Sequence, residues 1–337
     1  MIELADGTPA LLVTGYQESR AALADTRLSR QLPSAATMLP LPEDIRTRMI
    51  DYEKRTPTFN TMDPPEHTRY RRLLVGQFTV RRMRALEPRI RTLVNSCIDT
   101  MLKKGPVVDL VQEFALPIPS QVICELLGVP LDARSDFERR NPEDDLISAL
   151  ARPDGSSGLS DDEIAGVANL MVVAGHESTA NMLSLGTFLL LENPDQIEAV
   201  RDPERVQPAV EELLRYLTIT HLGLMRIARE DFELGGVPVP EGTLVVVAVN
   251  QANRDPGQFP EPAGLDLTRQ AGHHLAFGHG IHQCIGQHLA RLEMVVGYAE
   301  LFRRIPTLRL AVPPEEVPLR SAMAVYGTHQ LPVTWDV

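Results

Sequence analysis

The stretch that most constrains this chain is Phe277-Gly-His-Gly-Ile-His-Gln-Cys284-Ile-Gly286, one cysteine set among three glycines. It runs without a break into Gln287–Arg304, whose apolar spacing predicts a helix. Glycine at 278, 280 and 286 opens backbone paths closed to residues with a Cβ, so the loop can wrap tightly around a single side chain. Cys284 then lies just ahead of a helix N-terminus, where free N–H groups and the positive end of the macrodipole favour a thiolate over a thiol. Such a thiolate can be a nucleophile, a redox sensor or a metal ligand. A buried, inert cysteine would not require the glycines. A zinc site built from His279, His282 and Cys284 has its ligands too close together for the usual pairs, and no second cluster of Cys and His lies elsewhere.

Position for position, this loop resembles the haem-binding loop of the cytochrome P-450 monooxygenases. The resemblance implies haem b as cofactor, with Cys284 as the axial ligand to its iron. It also implies that Phe277 shields the sulfur, that Gly278 and His282 border the cofactor, and that Gly286 lets the helix approach the porphyrin. Thiolate ligation of this kind pushes electron density toward O–O cleavage.

The rest of the chain is compatible with a cytoplasmic enzyme. Its 337 residues suffice for a sizeable core, and 43% hydrophobic with 23% charged residues is ordinary for a globular protein. No apolar run is long enough to span a bilayer, and the acidic start Met1-Ile-Glu-Leu-Ala-Asp6 carries no signal-peptide pattern, so neither a membrane anchor nor export is expected. Cys97, Cys124 and Cys284 are too few and too scattered for a disulfide framework. A net charge of −12 argues against nucleic acid as a partner.

Taken in order, residues 1–13 read as two short strands about a turn, and Gln17–Ala24 as a helix. Residues 28–59 read as irregular, broken by prolines; by the resemblance this segment covers the distal haem face, and Phe59 is a substrate-contact candidate. Asp63-Pro-Pro-Glu-His67-Thr-Arg69-Tyr-Arg71 reads as a helix start that puts His67 and Arg71 on one face, able to reach one anion together. The resemblance makes that anion a haem propionate. Helices are expected at Glu87–Leu102 and Ile118–Leu127. Beyond them the chain departs from the family: Arg140 is followed at once by Asn141, where two helices lidding the substrate pocket would stand. The lid is either lost or lies between ordered pieces, and the latter is the expectation.

Ser160 and Glu163 form a capping-box pattern ahead of a long apolar helix carrying Ala174-Gly-His-Glu-Ser-Thr179. His176-Glu177 lacks the second histidine of a zinc-protease motif, since position 180 is Ala. Gly175 beside hydroxyl residues in mid-helix is a place where the backbone ladder can open. This resembles the family's oxygen-binding kink, with Ala174 and Gly175 against the haem and Glu177 and Ser178 as the acid–alcohol pair that guides protons. Leu170 and Val173 would line the pocket one turn earlier. Glu212 and Arg215 form an i, i+3 pair which, by the resemblance, joins Arg269 in a structural network. Strands are expected at Phe232–Leu234 and Thr243–Val249, and a closing hairpin at 324–335. The resemblance adds Arg226 as a second propionate partner, and His221, Leu222 and Val325 as substrate contacts.

The implied protein is a single, mainly α, triangular cytochrome P-450 domain over residues 1–337, with small β-sheets. It would be a monooxygenase of secondary metabolism inserting one atom of O2 into a hydrophobic small molecule. With no flavin or iron–sulfur module in the sequence, electrons would come from a separate ferredoxin-type donor. A zinc hydrolase and a catalytically silent haem-containing recruitment protein are the alternatives.

Overall fold

The structure is a computed structural model that describes residues 1–4, 7–32, 42–55, 58–128, 146–151, 158–321 and 323–336. The Arg140–Asn141 junction lies outside them. Among the described residues eight helices of nine residues or more carry the fold: α1 Tyr16–Ala24, α2 Glu43–Arg55, α3 Glu66–Val75, α4 Val80–Lys104, α5 Pro117–Leu127, α6 Asp161–Glu192, α7 Val206–Leu217 and α8 Gln287–Arg304.

The central rod is α6. Ser160 caps it, accepting from Glu163 N while Glu163 Oε2 accepts from Ser160 N, so two otherwise orphaned donors are satisfied. At about 1.5 Å per residue its 32 residues span roughly 48 Å. The helix α8 crosses it closely because small residues stand at the contact. A Cβ on Gly186 would fall 2.0 Å from the Tyr298 hydroxyl, and one on Gly297 would fall 2.8 Å from Leu183 Cδ2. Tyr298 then donates to the Met182 carbonyl at 2.5 Å. Around this crossing α4, α5 and α7 bury Ile98, Met101, Ile118, Leu127 and Leu213 in one continuous core.

The strands are β1 Ile2–Glu3, β2 Pro9–Val13, β3 Leu28–Ser29, β4 Val107–Asp109, β5 Leu224–Ala228, β6 Phe232–Leu234, β7 Val237–Val239, β8 Leu244–Val247, β9 Arg309–Leu310 and β10 Pro332–Thr334. One sheet has the order β1-β2-β8-β5-β3, in which β2 and β8 are parallel and the other pairs antiparallel. Arg226 pairs with Val245 in this sheet and is buried. Every residue of β8 is buried, and a run of valines suits a strand covered on both faces.

Three expectations change. The proline-rich stretch 28–59 contains α2: Pro42 stands just before it and Glu43 and Asp44 occupy its first turn, so the prolines punctuate a helix instead of excluding one. Residues 324–335 are not one hairpin. Thr328 bridges Leu319 and Val325 bridges Thr220, whereas β10 pairs with β4 and β9 in a separate sheet. The helix expected from Glu87 begins at Val80, capped by Thr79, and continues through Pro88.

Candidate functional site

The glycine loop closes on itself before α8 begins. Cys284 N donates to Phe277 O at 2.9 Å, Gly278 N to Leu275 O at 2.8 Å, and Gln283 N to Gly280 O at 3.1 Å. Gly278 and Gly280 have φ of 70° and 74°, and a Cβ at 280 would stand 2.6 Å from the Leu23 carbonyl of α1. Asn253, fully buried, holds the start of the loop by accepting from Leu275 N at 2.6 Å and donating to Thr218 Oγ1 at 2.8 Å. Gly286, by contrast, has an ordinary φ of −82°, and a Cβ there would meet only Cys284 Sγ, at 4.0 Å. The sulfur therefore faces open space on that side.

Cys284 opens onto this cradle, yet protein crowds its other sides. Burial pushes its thiol up, against the lowering influence of the Gly286 and Gln287 N–H groups and of Arg71 and Arg291. In the chain by itself desolvation thus opposes the helix terminus, which favours the thiolate. Coordination to a cation would remove the proton outright. The Phe277 ring lies beneath the Arg291 guanidinium, 4.4 Å away. Arg291 in turn pairs with Glu211 at 2.6 Å, and His274 reaches the same carboxylate at 3.1 Å. Burial raises the Glu211 carboxyl, but bonds to His274 and Arg291 outweigh it and hold the group down to about 2.

Beside the loop the structure gathers His67, Arg71, Arg226 and His282. The rings of His67 and His282 lie 4.3 Å apart, and neither nitrogen of His67 nor Nε2 of His282 has a hydrogen-bond partner although all three are buried. Burial and Arg71 lower the proton affinity of His67; burial, His67 and Arg226 take His282 down to about 3. Arg71 donates to Gln283 O at 2.7 Å and faces the cysteine. Arg226 is nearly inaccessible, and burial, with Arg30 nearby, brings it down to about 10. Arg30 was missed in the sequence because it lies in the proline-rich segment and meets the others only through space. Asp63, read there as a helix start, does not cap α3. It accepts from Ser29 Oγ at 2.5 Å, Arg30 N at 2.9 Å and Arg229 Nη2 at 2.7 Å.

On α6, Ser178 Oγ donates back to the Ala174 carbonyl at 2.7 Å. The helix continues through Gly175 without interruption, so the expected opening does not break it. Glu177 is ion-paired with Arg320, which also donates to Asn181 Oδ1 at 3.2 Å. His176 contacts Ser120 Oγ at 2.6 Å. Thr179 turns the other way, toward Glu293 of α8, which burial pushes up to about 8 against a hydrogen bond to Thr179. Glu293 went unnoticed, although a glutamate within the apolar face of α8 was a usable signal.

The substrate candidates separate. Val173 and Leu222 are 57% and 55% exposed, and the His221 ring packs tilted against Tyr326, centroids 5.3 Å apart. Val325 is half-buried in its bridge to Thr220. Phe59 is buried, 6.2 Å from the His67 ring, and Leu170 packs on the main core. Glu212, Arg215 and Arg269 do meet: Arg215 grips Glu212 with two bonds of 2.7 and 2.8 Å, and Arg269 Nε reaches Glu212 at 3.1 Å. Arg215 also donates to the carbonyls of Asn253 and Pro262, tying this network to the anchor of the cysteine loop.

Among the described residues no three His, Cys, Asp or Glu side chains come together to hold a metal ion, which removes support for zinc at His279, His282 and Cys284. An anionic group fits better, because the sulfur opens on a space that a Cβ at 286 would enter, while unpaired buried imidazole nitrogens and arginines stand to one side.

Comparison with known proteins gives the family. A family model described as Cytochrome P450 matches residues 204–330. The curated relative Cytochrome P450 105C1 of a Streptomyces species is 42% identical over 373 residues, covering 98% of this chain and 90% of its own length. That span exceeds the 337 residues here, so the relative carries internal residues without a counterpart. The crystal structure of Rif16 superposes with a TM-score of 0.85 at 47% identity over 97% of this chain and 91% of its own. CYP105P1 in complex with filipin I gives 0.88 at 42% identity over 98% and 91%.

Proposed function

Because this chain belongs to the cytochrome P450 family of monooxygenases, we propose that it holds haem b through Cys284 and inserts one atom of O2 into a hydrophobic natural product, with electrons from a separate ferredoxin-type donor. The observation that carries this reading is the conjunction at one cradle of the Cys284 sulfur with the unpartnered nitrogens of His67 and His282 and the buried Arg226. Bound there, the haem would supply the activation of dioxygen; the protein supplies the rest.

Arg71, Arg226, His67 and His282 would hold the propionates, and a carboxylate brought between them would raise the proton affinity of both imidazoles. Phe277, fixed under Arg291, screens the cysteine side from water. Glu177 and Ser178 would move protons from solvent toward the distal side; this needs the Ser178 hydroxyl to leave the Ala174 carbonyl. Val173, Leu222 and Val325 offer apolar contact to substrate, with His221 beside them. The filipin I bound by CYP105P1 supports a natural-product substrate and a place in secondary metabolism. No helix among the described residues is long and apolar enough to cross a membrane, and we place the reaction in the cytoplasm.

The absorption spectrum of the reduced, carbon-monoxide-bound protein tests the reading. Wild type should give the red-shifted Soret band of a thiolate ligand, and Cys284→Ala should lose it. A wild type without that band would overturn the assignment. The excess of aligned residues in the relative favours one second reading, a haem protein that recruits without turning over because its lid is missing. Substrate-dependent product formation with surrogate ferredoxin and reductase would exclude it.

A further inference from the structure

The propionate reading leaves one cation unused. Arg30 follows β3, and its backbone N–H is fixed by Asp63 Oδ1 at 2.9 Å. Its side chain runs inward, Nε donating to Asn60 O at 3.1 Å and Nη1 to Met225 O at 3.1 Å. The same Met225 carbonyl accepts from Arg226 Nη1 at 2.8 Å. Two guanidinium groups thus share one neutral acceptor, both largely withdrawn from water.

Like charges brought this close in a partly dry place cost free energy unless an anion lies between them. The nearby carboxylate is already engaged, since Asp63 is ion-paired with Arg229 at 2.7 Å and hydrogen-bonded to Ser29. It cannot neutralise both. Arg30 also lies near enough to Arg226 to lower its affinity for protons, so the two share one electrostatic neighbourhood. His67 and His282 complete it with three buried nitrogens that lack partners. Excess positive charge, unfilled donors and one committed acid together describe a site built for two carboxylates.

We propose that Arg30 is a direct binding residue of this site, sharing with Arg226 and His282 the carboxylates of the ligand. The proposal rests on the haem reading, which makes those carboxylates the two propionates, and it assigns Arg30 a task beyond holding its own loop. Arg71 has one nitrogen given to Gln283 O, on the cysteine side.

The test compares haem-loaded wild type with Arg30→Gln, which keeps a donor for the two carbonyls but loses the charge, and with Arg30→Lys, which keeps the charge. The rate of haem transfer to excess apomyoglobin and the propionate bending mode in the resonance Raman spectrum are read, neither of which depends on turnover. Arg30→Gln should release haem about tenfold faster and shift the mode, as expected for a lost charge-assisted bond, while Arg30→Lys stays near wild type. Far-ultraviolet circular dichroism of each apoprotein checks that the fold is retained; if Arg30→Gln does not fold, Arg30→Met in the haem-loaded form replaces it. Wild-type release and an unmoved mode in the charge-free variant would overturn the proposal and leave the haem reading intact. A wild type that binds no haem would overturn both.

Discussion

Arg320 and Glu177, 143 residues apart in sequence, are ion-paired, so the acid that precedes Ser178 on α6 is held from the neighbour of Leu319, which bridges Thr328. A few residues on, Val325 bridges Thr220, and the Ala324 carbonyl accepts from His221 N, 3.1 Å away. One short piece of chain therefore touches both Glu177 and the Thr220–His221 segment, and by the proposed function it would couple the proton path to the substrate contacts.

Replacing Arg320 by Gln should leave haem binding unchanged but misplace Glu177. Loss of alignment in a relay of this kind costs between about tenfold and a hundredfold in turnover, with peroxide released in place of product. Oxygen consumption measured against product formed checks this. Unchanged coupling would mean that Glu177 is oriented by its own helix alone.

Glu293 is fully enclosed, and its carboxyl is raised to about 8 from 4.5. A group that binds its proton more tightly when folded contributes most below its unfolded pKa and loses that contribution as pH rises through the folded one. Stability should therefore fall by roughly 4 kcal/mol between pH 5 and pH 9. Urea melts of wild type and Glu293→Gln across this range provide the measurement, and the variant should show a flatter dependence.

The pair Glu212–Arg215 has no access to solvent on either side. Arg215→Met strands a buried carboxylate and should cost about 3–5 kcal/mol in a denaturant titration. Arg269, the partner nearer the surface, can compensate only in part.

The two glycines flanking the cysteine should behave oppositely. Gly280→Ala puts a Cβ against a backbone carbonyl at positive φ and should lower stability by about 1–3 kcal/mol. Gly286→Ala has no such strain, so its melting curve should match wild type within about 0.5 kcal/mol. Its haem content should nevertheless drop, because the added methyl group lies beside the sulfur. Pyridine haemochrome assay and thermal melts on the same preparations separate the two effects.

What could be read from the chain was whatever is written locally. The glycine spacing around Cys284, the capping box at Ser160 and the i, i+4 relation of His67 and Arg71 are short-range patterns, and each stands in the structure where its spacing puts it. Arg30, Arg320 and Glu293 were not legible. Each acts on a partner that only the fold brings near: Met225, Glu177 and Thr179. The orientation of Ser178 was equally out of reach, because a hydroxyl in a helix chooses between its own backbone and the cavity through contacts on neighbouring elements. The desolvation at Cys284 was out of reach for a related reason: a helix terminus is visible in sequence, but the packing around the sulfur is not.

The cradle joins segments from far corners of the polypeptide: Leu23 under Gly280, Arg30 on Met225, and Arg71 on Gln283, the last two 195 and 212 residues apart. Loops that long close slowly, so these contacts should be among the last to form during refolding. The colour of an incorporated pigment would then report the arrival of the finished molecule, trailing the appearance of helix, and a refolding chain followed by both signals would reveal the interval between them.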